Sequence, residues 1–373
     1  MSLNQSPGPP EFDVVIAGGG PAGSAAAIHL ARAGRRVCLL EAGEAPRQKI
    51  GETLPPEARQ PLCDLQLWER FRARGHLPSH GNRSAWGSDV LDERDFIFHP
   101  QGSAWQLDRR QFEVLLVQGA IEAGATVYHG ESLSHCERMS GSWRLRTNSR
   151  SLEAAWLIDA TGRRSLVARL NGVRRIVSDE LVAIHAIAPL GRIRDEDSRT
   201  FLEARSEGWW YTALVPDGRR VISYQTDADL LHGQEWRTRE WFEARLRDTL
   251  HLGPFLEAHD RRITSAPRLT SAHSGRLEQF CGDGWLAVGD ATLSFDPLSG
   301  QGMLKALLSA QRAAQAIAAG GSEALETYAH WNANIWEQYL TSRHAYYQAE
   351  ERWPECPFWK RRRNRQQEAS IVR

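Results

Sequence analysis

The 373-residue chain has an ordinary globular composition, 41% hydrophobic and 25% charged, which argues against a disordered or fibrous protein. Its 46 Lys and Arg residues balance 46 Asp and Glu residues, so no overall charge attracts nucleic acid or an anionic membrane. The N-terminus shows no signal pattern, and no segment has the roughly 18 apolar residues that span a bilayer. The five cysteines are spaced too widely for a disulfide framework or a zinc site. We therefore expect a cytoplasmic protein without a metal site.

A glycine-rich segment near the N-terminus predicts a nucleotide-binding turn. Residues 13–16 form an apolar run with the length of a buried parallel strand, and an Ala-rich helical stretch follows and ends before Gly34. A second apolar run, over residues 37–40, leads to an acid. Glycines between strand and helix permit the close approach of a pyrophosphate, and the acid can bind ribose hydroxyls. We predict a dinucleotide site formed by Gly18, Gly20, Pro21, Ala22, Gly23 and Glu41.

Two later segments repeat the pattern of a buried strand followed by a polar turn. Residues 156–159 lead into the turn ATG, and residues 285–288 lead into Gly289 and Asp290. A loop rich in Pro and Gly then precedes a helical stretch over residues 303–319. An acid at a strand end suits a second polyol, and a glycine-rich loop at a helix start suits the edge of an electron-rich ring.

Together these motifs resemble the three FAD motifs of the flavoprotein hydroxylase superfamily, which includes aromatic monooxygenases, geranylgeranyl reductase-like proteins and flavin-dependent halogenases. The motifs are GGGPAG with its acid, IDATGRRS, and GDATLSFDPLSGQG, and they cover about residues 12–320. The resemblance implies an α/β fold with a discontinuous Rossmann-type FAD-binding domain, an antiparallel β-sheet substrate domain and a helical C-terminal extension. It also implies that the ribityl chain and the isoalloxazine of FAD are held by Gly289, Asp290, Pro297, Gly300, Gln301 and Gly302.

Two arginines complete the FAD site that the resemblance implies. Arg47 lies in RQKIGETLPP, which resembles the segment that covers the flavin in reductase-like and halogenase-like members. Arg109 lies in LDRRQFEVLL, which resembles the helix whose guanidinium approaches the FAD pyrophosphate. A planar and permanently charged group suits that anion. A solvated helix charge is the alternative role for Arg109.

The same resemblance sets the domain boundaries. We assign residues 1–80, 105–175 and 275–320 to the FAD-binding domain, residues 80–105 and 176–275 to the substrate-binding sheet, and residues 321–373 to the C-terminal extension. Within the extension, the basic run WKRRRNRQQ is expected to be a solvated tail, with contact to an acidic partner as the alternative.

A predicted hairpin over residues 208–227 turns at the sequence Pro-Asp-Gly and is rich in aromatic residues. We expect an aromatic substrate to stack on this hairpin and on the segment before residue 108, although sheet core is the commoner role for such residues. The expected substrate face comprises Trp105, Trp209, Trp210 and Tyr211. Glu52 and His99 are the titratable candidates for an acid or base, and a loop histidine bonded to backbone is the alternative for His99.

The hairpin, KIGETLPP, FDPLSGQG and the terminal YYQAEERWPECPFWKRRR resemble the LodB-type flavoproteins. These proteins mature quinone-bearing amine oxidases and dehydrogenases by hydroxylating a tryptophan inside a partner protein. The resemblance implies an FAD-dependent monooxygenase that acts on an indole or phenol, above all on a tryptophan in a peptide or partner protein, with O2 activated as a flavin C4a-hydroperoxide. No second dinucleotide motif is present, so the electrons come either from NAD(P)H bound transiently or from a partner flavin reductase.

Halogenation by an enzyme of the same fold is the alternative. When the proline of the halogenase motif WxWxIP is aligned on Pro216, Tyr211 and Ala213 stand where that motif has tryptophans. The catalytic lysine of tryptophan halogenases would fall in residues 81–88, which contain none, and their glutamate would fall near Ser299. These differences favour hydroxylation, which needs a dry and oriented pocket rather than a lysine amine. A second alternative is an FAD-binding maturation partner without turnover.

Overall fold

The computed structural model describes residues 10–45, 49–363 and 371–372, the last two by their backbone alone. Its strands, in chain order, are β1 (Phe12–Ala17), β2 (Val37–Glu41), β3 (Thr53–Leu54), β4 (Leu77–Ser79), β5 (Gly81–Ala85), β6 (Asp92–Asp95), β7 (Ala104–Gln106), β8 (Thr126–His129), β9 (Leu133–Arg138), β10 (Trp143–Thr147), β11 (Ser151–Asp159), β12 (Arg175–Val177), β13 (Leu181–Ala188), β14 (Thr200–Arg205), β15 (Gly208–Leu214), β16 (Arg220–Asp227), β17 (Arg268–Ser271), β18 (Gly275–Leu277), β19 (Cys281–Gly282), β20 (Trp285–Ala287), β21 (Leu293–Ser294) and β22 (Ile371–Val372).

The helices, in chain order, are α1 (Pro21–Arg32), α2 (Arg59–Asp64), α3 (Trp68–Arg72), α4 (Arg109–Glu122), α5 (Leu166–Leu170), α6 (Arg239–Arg247), α7 (Leu252–Ala258), α8 (Gly302–Ala319), α9 (Gly321–Gln348) and α10 (Pro357–Arg363). Among the described residues, none of these helices combines the length and the apolarity that a membrane crossing requires. The same residues include no group of three or more His, Cys, Asp or Glu side chains that could hold a metal ion.

The first large sheet has the strand order β19-β20-β11-β1-β2-β8 and continues from β11 through β10 to β9 as an antiparallel arm. The pairings of β1 with β2 and β11, of β2 with β8, and of β11 with β20 are parallel. Parallel strands are covered on both faces, which explains why β1 and β2 are almost continuously apolar. Helix α1 packs against α4 and α8 beside this sheet. The strands predicted near residues 13–16, 37–40, 156–159 and 285–288 are all present.

A second large sheet has the order β17-β13-β16-β15-β14-β5-β6, and all its pairings are antiparallel except that of β14 with β5. The predicted hairpin forms from β15 and β16 around the turn at residues 215–219. One face of the sheet packs on α6 and α7, and the other packs on the C-terminal segment. The architecture is therefore the predicted one: a Rossmann-type parallel sheet, an antiparallel sheet and C-terminal helices.

Two small sheets join distant parts of the chain. Strand β7 pairs with β3 and β4, so the segment after residue 50 is held beside residues 104–106. Strand β12 pairs with β18 and β22, and β18 also pairs with β21. The first of these small sheets places the predicted flavin-covering segment at the edge of the substrate sheet.

The C-terminal extension is more deeply packed than the basic run suggested. The side chains of Phe358 and Trp359 are fully buried against the second sheet, and the indole of Trp359 donates a hydrogen bond to the carbonyl of Arg205. The guanidinium of Arg362 is buried and paired with Asp227. The expectation of a solvated tail is therefore wrong for Trp359, Arg361 and Arg362, because burial and ion pairs with Asp227 fix them to the sheet. The remainder of WKRRRNRQQ lies outside the described residues.

Candidate active site

In the glycine-rich turn between β1 and α1, each glycine has a different structural role. Gly18 has a φ of +112°, a conformation that favours glycine. A Cβ at Gly23 would lie 1.9 Å from the carbonyl oxygen of Gly18, so the helix can approach the strand only because this side chain is missing. At Gly20, by contrast, no atom lies within 4 Å of the position that a Cβ would take. Pro21 and Ala22 begin α1, whose N-cap Gly20 makes no side-chain capping bond. The turn therefore leaves an open cradle beside free backbone N–H groups.

Glu41 ends β2 and holds this turn in place. Its carboxylate accepts hydrogen bonds from the backbone N–H of Gly19 at 2.9 Å and of Gly43 at 2.8 Å. A carboxylate has about four lone-pair sites, so both oxygens can accept further bonds from ribose hydroxyls. Glu41 thus lies where the sequence pattern placed it, with its two oxygens fixed by backbone.

The third motif forms a turn between β20 and α8 on the same side of the first sheet. Gly289 has a φ of +60°, and a Cβ there would lie 2.7 Å from the Cβ of Ala22 at the start of α1. The neighbouring Asp290 is partly exposed and lies 3.4 Å from the guanidinium of Arg163, a residue of the second motif. The backbone N–H of Gly289 donates to the hydroxyl of Ser309. The structure thereby brings the three motifs together around one opening.

The loop before α8 is built around an Asx turn. Asp296 accepts the backbone N–H of Leu298 at 2.9 Å, and Pro297 begins the short turn that ends at Gly300, whose φ is +60°. No atom lies within 4 Å of a Cβ placed at Gly300 or Gly302. Gln301 is the N-cap of α8 and makes no side-chain capping bond there. We call residues 296–302 the flavin loop below.

This arrangement fits FAD on the structure's own terms. The starts of α1 and α8 are positive helix ends with uncapped N–H groups, which suit a pyrophosphate and an electron-rich ring edge. The space beside Gly20, Gly300 and Gly302 is open, whereas Gly18, Gly23 and Gly289 are closed by packing. The residue set therefore fits FAD, and Glu41 and Asp290 are the two acids that could bind its polyol hydroxyls.

The flavin-covering segment carries a buried acid. Glu52 is 2% exposed, and its Oε2 accepts a hydrogen bond from the hydroxyl of Tyr211 at 3.3 Å. Its Oε1 has no hydrogen-bond partner within the described residues. Burial raises the pKa of the Glu52 carboxyl, while the charge of Arg109 opposes that shift. A carboxyl with a raised pKa and an unused oxygen is suited to proton exchange.

Around this pair lies a polar network that the sequence did not reveal. The hydroxyl of Thr53 donates to Gln106 at 2.9 Å and lies 3.2 Å from the hydroxyl of Tyr211. The amide of Gln106 in turn donates to Thr200 on β14. Burial raises the pKa of the Tyr211 hydroxyl well above its ordinary value, so it remains protonated. Residues so far apart in sequence leave no local signal. The pairing of β3 with β7 joins Thr53 to Gln106, and contact with β14 and β15 of the second sheet adds Thr200 and Tyr211.

Of the two arginines predicted to contact FAD, the structure describes only one. Arg47 lies outside the described residues. Arg109 begins α4, and its guanidinium donates to the carbonyls of Ile50 and Gly51 at 2.7 and 2.9 Å and to Glu113 at 2.8 Å. Arg109 is therefore not a solvated helix charge, because it holds the predicted flavin-covering segment against α4. Its contact with the FAD pyrophosphate stays a prediction.

His99 lies in the loop between β6 and β7. Its Nδ1 accepts the backbone N–H of Gln101, and its Nε2 lies 3.3 Å from Glu57. The backbone bond matches the structural role given above as the alternative. His99 is also not bonded to the Glu52 network, so the structure separates the two titratable candidates.

The four aromatic residues of the expected substrate face do not share one face. Trp209 and Tyr211 lie on the side of the second sheet that also packs on Leu298 of the flavin loop. Trp210 points to the opposite face, where its ring packs on Phe242 of α6 at a centroid distance of 5.1 Å. Trp105 packs on Trp68 and Phe71 near the first sheet. The structure therefore brings only Trp209 and Tyr211 together beside the flavin loop.

A family model described as an FAD binding domain matches residues 11–343 of the chain. LodB of Marinomonas mediterranea, described as an FAD-dependent oxidoreductase, is 30% identical over 364 residues, which is 94% of this chain and 96% of LodB. The 1H-pyrrole-2-carbonyl-[peptidyl-carrier protein] brominase of Pseudoalteromonas luteoviolacea is 28% identical over 322 residues, 82% of this chain and 77% of the brominase. Both relatives are thus similar over most of their length.

Solved structures show the same fold. The chondrochloren halogenase CndH superposes with a TM-score of 0.83 at 24% identity, covering 95% of this chain and 86% of CndH. The peptidyl tryptophan dihydroxylase QhpG superposes with a TM-score of 0.78 at 24% identity, covering 94% of this chain and 78% of QhpG. With its three motifs gathered around one cradle and a family match over most of its length, the chain belongs to the FAD binding domain family and is an FAD-dependent enzyme of its oxidoreductase and halogenase group.

Proposed function

We propose that this chain is a monooxygenase that hydroxylates an aromatic ring, above all the indole of a tryptophan in a peptide or partner protein. The observation that carries the proposal lies on the face of the second sheet that packs on the flavin loop, where Tyr211 and the buried Glu52 form an acid–base pair. The strand where the halogenase lysine would fall offers no amine. Its Arg83 is engaged instead with Glu93 at 3.0 Å and Asp197 at 3.2 Å.

Reduced FAD and O2 would supply an electrophilic oxygen atom to the ring. In the overall reaction a ring C–H becomes C–OH, the second oxygen atom leaves as water, and two electrons come from NAD(P)H or a partner flavin reductase. The chain's own part is to hold the ring against the flavin, exclude water and accept the proton that the ring carbon loses. Glu52 in its ionised form, fixed by the Tyr211 hydroxyl, is the base we assign to that last step.

The substrate class is supported by relatives. QhpG is a peptidyl tryptophan dihydroxylase essential for tryptophylquinone cofactor biogenesis. LodB is similar to this chain in sequence and in length, since the match covers nearly all of both proteins. A peptide or partner protein that contains tryptophan is accordingly the substrate we propose. The five cysteines are unpaired, which supports the cytoplasmic location we propose for the reaction.

Halogenation is the second candidate, because a brominase matches most of the chain. The chain has only three lysines, at positions 49, 305 and 360. Lys49 pairs with Glu113, and Lys360 pairs with Glu355. Lys305 is partly buried in the first turn of α8, and burial lowers the pKa of its ammonium group. If the chain halogenates its substrate, Lys305 is the amine to test.

The decisive experiment supplies the protein with a flavin reductase, NADH, O2, bromide and a pool of tryptophan- and tyrosine-containing peptides, followed by mass spectrometry. We expect an oxygen atom added to tryptophan, and a product yield at least tenfold lower for Glu52→Gln with unchanged FAD content. Lys305→Met should react like the wild type. If the wild type adds bromine to the product and Lys305→Met does not, the chain is a halogenase and the hydroxylase proposal is wrong. Bound and reducible FAD without any product, from these peptides or from a folded partner, would favour a maturation partner without turnover.

A further inference from the structure

Helix α9 contacts the flavin loop through three side chains on one face. Tyr339, Arg343 and Tyr347 follow one another at steps of four residues, so they line a single stripe of the helix. All three are buried, and all three reach Asp296 at the start of the loop. Helix α9 therefore contacts the segment that we place against the isoalloxazine.

Asp296 is held from several sides. Its Oδ1 accepts the backbone N–H of Leu298, and its Oδ2 accepts the hydroxyl of Tyr347 at 2.7 Å. Its backbone N–H donates to the hydroxyl of Tyr339 at 2.9 Å, and Arg343 lies 3.5 Å from Oδ2. Burial raises the pKa of the Asp296 carboxyl, and the charge of Arg343 opposes that shift. The turn that shapes the flavin loop thus depends on side chains from α9.

The hydroxyl of Tyr347 has a second partner on the substrate sheet. The indole N–H of Trp209 donates to it at 3.1 Å. An indole can only donate, so the Tyr347 oxygen accepts from Trp209 and its proton goes to Asp296. One hydroxyl therefore links the aromatic face of the second sheet to the flavin loop, with a fixed direction along the chain of bonds. Trp209 lies on the same face as Tyr211, beside Leu298.

We propose that Tyr347 is a positioning residue whose hydroxyl fixes the flavin loop and Trp209 relative to one another, so that FAD affinity depends on the substrate sheet. The proposal rests on the proposed placement of FAD at residues 296–302, and not on the identity of the substrate. Buried hydrogen bonds that link two elements couple their positions, because leaving either partner unsatisfied costs free energy.

The test is an FAD titration of apoprotein, followed by flavin fluorescence, with Tyr347→Phe against a matched control. Tyr224→Phe is the control, because Tyr224 is also a buried tyrosine of the second sheet region but lies on the face remote from the flavin loop. We expect both variants to lower the melting temperature, and only Tyr347→Phe to raise the FAD dissociation constant, by about tenfold. A merely structural tyrosine would lower stability in both and change FAD affinity in neither.

Trp209→Phe provides a second test of the coupling, which does not depend on whether Tyr347→Phe folds. We expect it to weaken FAD binding by about threefold in the wild-type background and to have no further effect in Tyr347→Phe, because the two residues act through one bond. FAD affinities within twofold of wild type for both single variants would overturn the coupling. A wild-type protein that binds no FAD would overturn it together with the cofactor assignment. Because no substrate is present, absence of hydroxylation leaves this result unaffected.

Discussion

At the scale of single residues, the glycines of the turn between β1 and α1 have different structural roles. Gly20 has an ordinary φ of −69° and open space around it, whereas Gly23 is pressed against the carbonyl of Gly18. We expect Gly20→Val to fold with a melting temperature close to that of the wild type but to be colourless, because its side chain would fill the FAD cradle. Asp290→Ala should also lose FAD. Flavin absorbance after purification measures this, and yellow protein from either variant would contradict the motif assignment.

Gly23→Ala is the matched contrast to Gly20→Val. Its methyl group would collide with backbone that cannot yield, so we expect a loss of stability rather than a selective loss of FAD. Thermal unfolding of the apoproteins separates the two effects. Equal melting temperatures for Gly20→Val and Gly23→Ala would mean that the turn is not packed as described.

The buried Glu52 predicts a pH-dependent stability. Its pKa is raised from an ordinary value of 4.5, so the stabilisation from its proton is complete below that pH and is lost as the pH rises through the folded-state pKa. Glu52→Gln keeps an acceptor for Tyr211 and removes the ionisation. We expect the melting temperature of the variant, relative to that of wild type, to increase from about pH 4 to about pH 8, because wild type loses stability as the Glu52 carboxyl ionises. Glu57→Gln, at an exposed acid, is the control.

Parallel pH curves for Glu52→Gln and wild type would show that Glu52 ionises without cost. That outcome would also remove the reason for treating Glu52 as the base of the proposed reaction. Because Tyr211 stays protonated, it gives no competing titration in this range.

The sequence predicted the parts of the site that are contiguous in the chain. Three glycines, Pro21 and Glu41 could be read from one strand–turn–helix pattern, because the spacing alone brings them together. The pair of Glu52 and Tyr211 is separated by 159 positions, and the bond from Trp209 to Tyr347 by 138. Contacts of that kind depend on how two sheets and α9 pack, and no periodicity within one segment encodes them.

At the scale of elements, strand geometry corrected the expected substrate face. Consecutive residues of a strand point to opposite faces, so Trp209 and Trp210 could not both contact a substrate on one side. Local patterns predicted the hairpin and its turn, but the choice of face required knowing that α6 and α7 cover one side and the C-terminal segment covers the other. The fold class was therefore more predictable than the roles of neighbouring aromatic residues.

Trp210 is accordingly a core residue, and its replacement is a test of this geometry. We expect Trp210→Ala to lower the free energy of unfolding by about 3–5 kcal/mol, because a fully buried indole leaves a cavity. FAD affinity of the folded variant should remain close to that of wild type. Urea unfolding and FAD titration measure the two quantities. Tyr346→Ala, at an exposed aromatic residue, should change stability by no more than about 0.5 kcal/mol.

At the scale of the whole molecule, the C-terminal segment closes the second sheet and binds the flavin loop. Helix α9 reaches Asp296, while α10 buries Phe358 and Trp359 on the same sheet face. The extension is therefore part of the structure around the FAD site that we propose. Its composition gave little sign of this, because a basic run reads as solvated unless the acids that face it are known.

The ion pair between Arg362 and Asp227 tests that closure. Both side chains are buried, and Arg362→Ala would leave Asp227 paired with Arg361, whose side chain is partly exposed, so we expect the variant to cost up to about 3–5 kcal/mol of unfolding free energy. Lys360, two positions earlier, is exposed and paired with Glu355, and Lys360→Ala should cost at most about 1 kcal/mol. Added salt should weaken the Lys360 contribution and leave that of Arg362 nearly unchanged, because a buried pair is poorly screened. If Arg362→Ala and Lys360→Ala lower the free energy of unfolding equally, and both effects weaken with salt, α10 is a solvated tail.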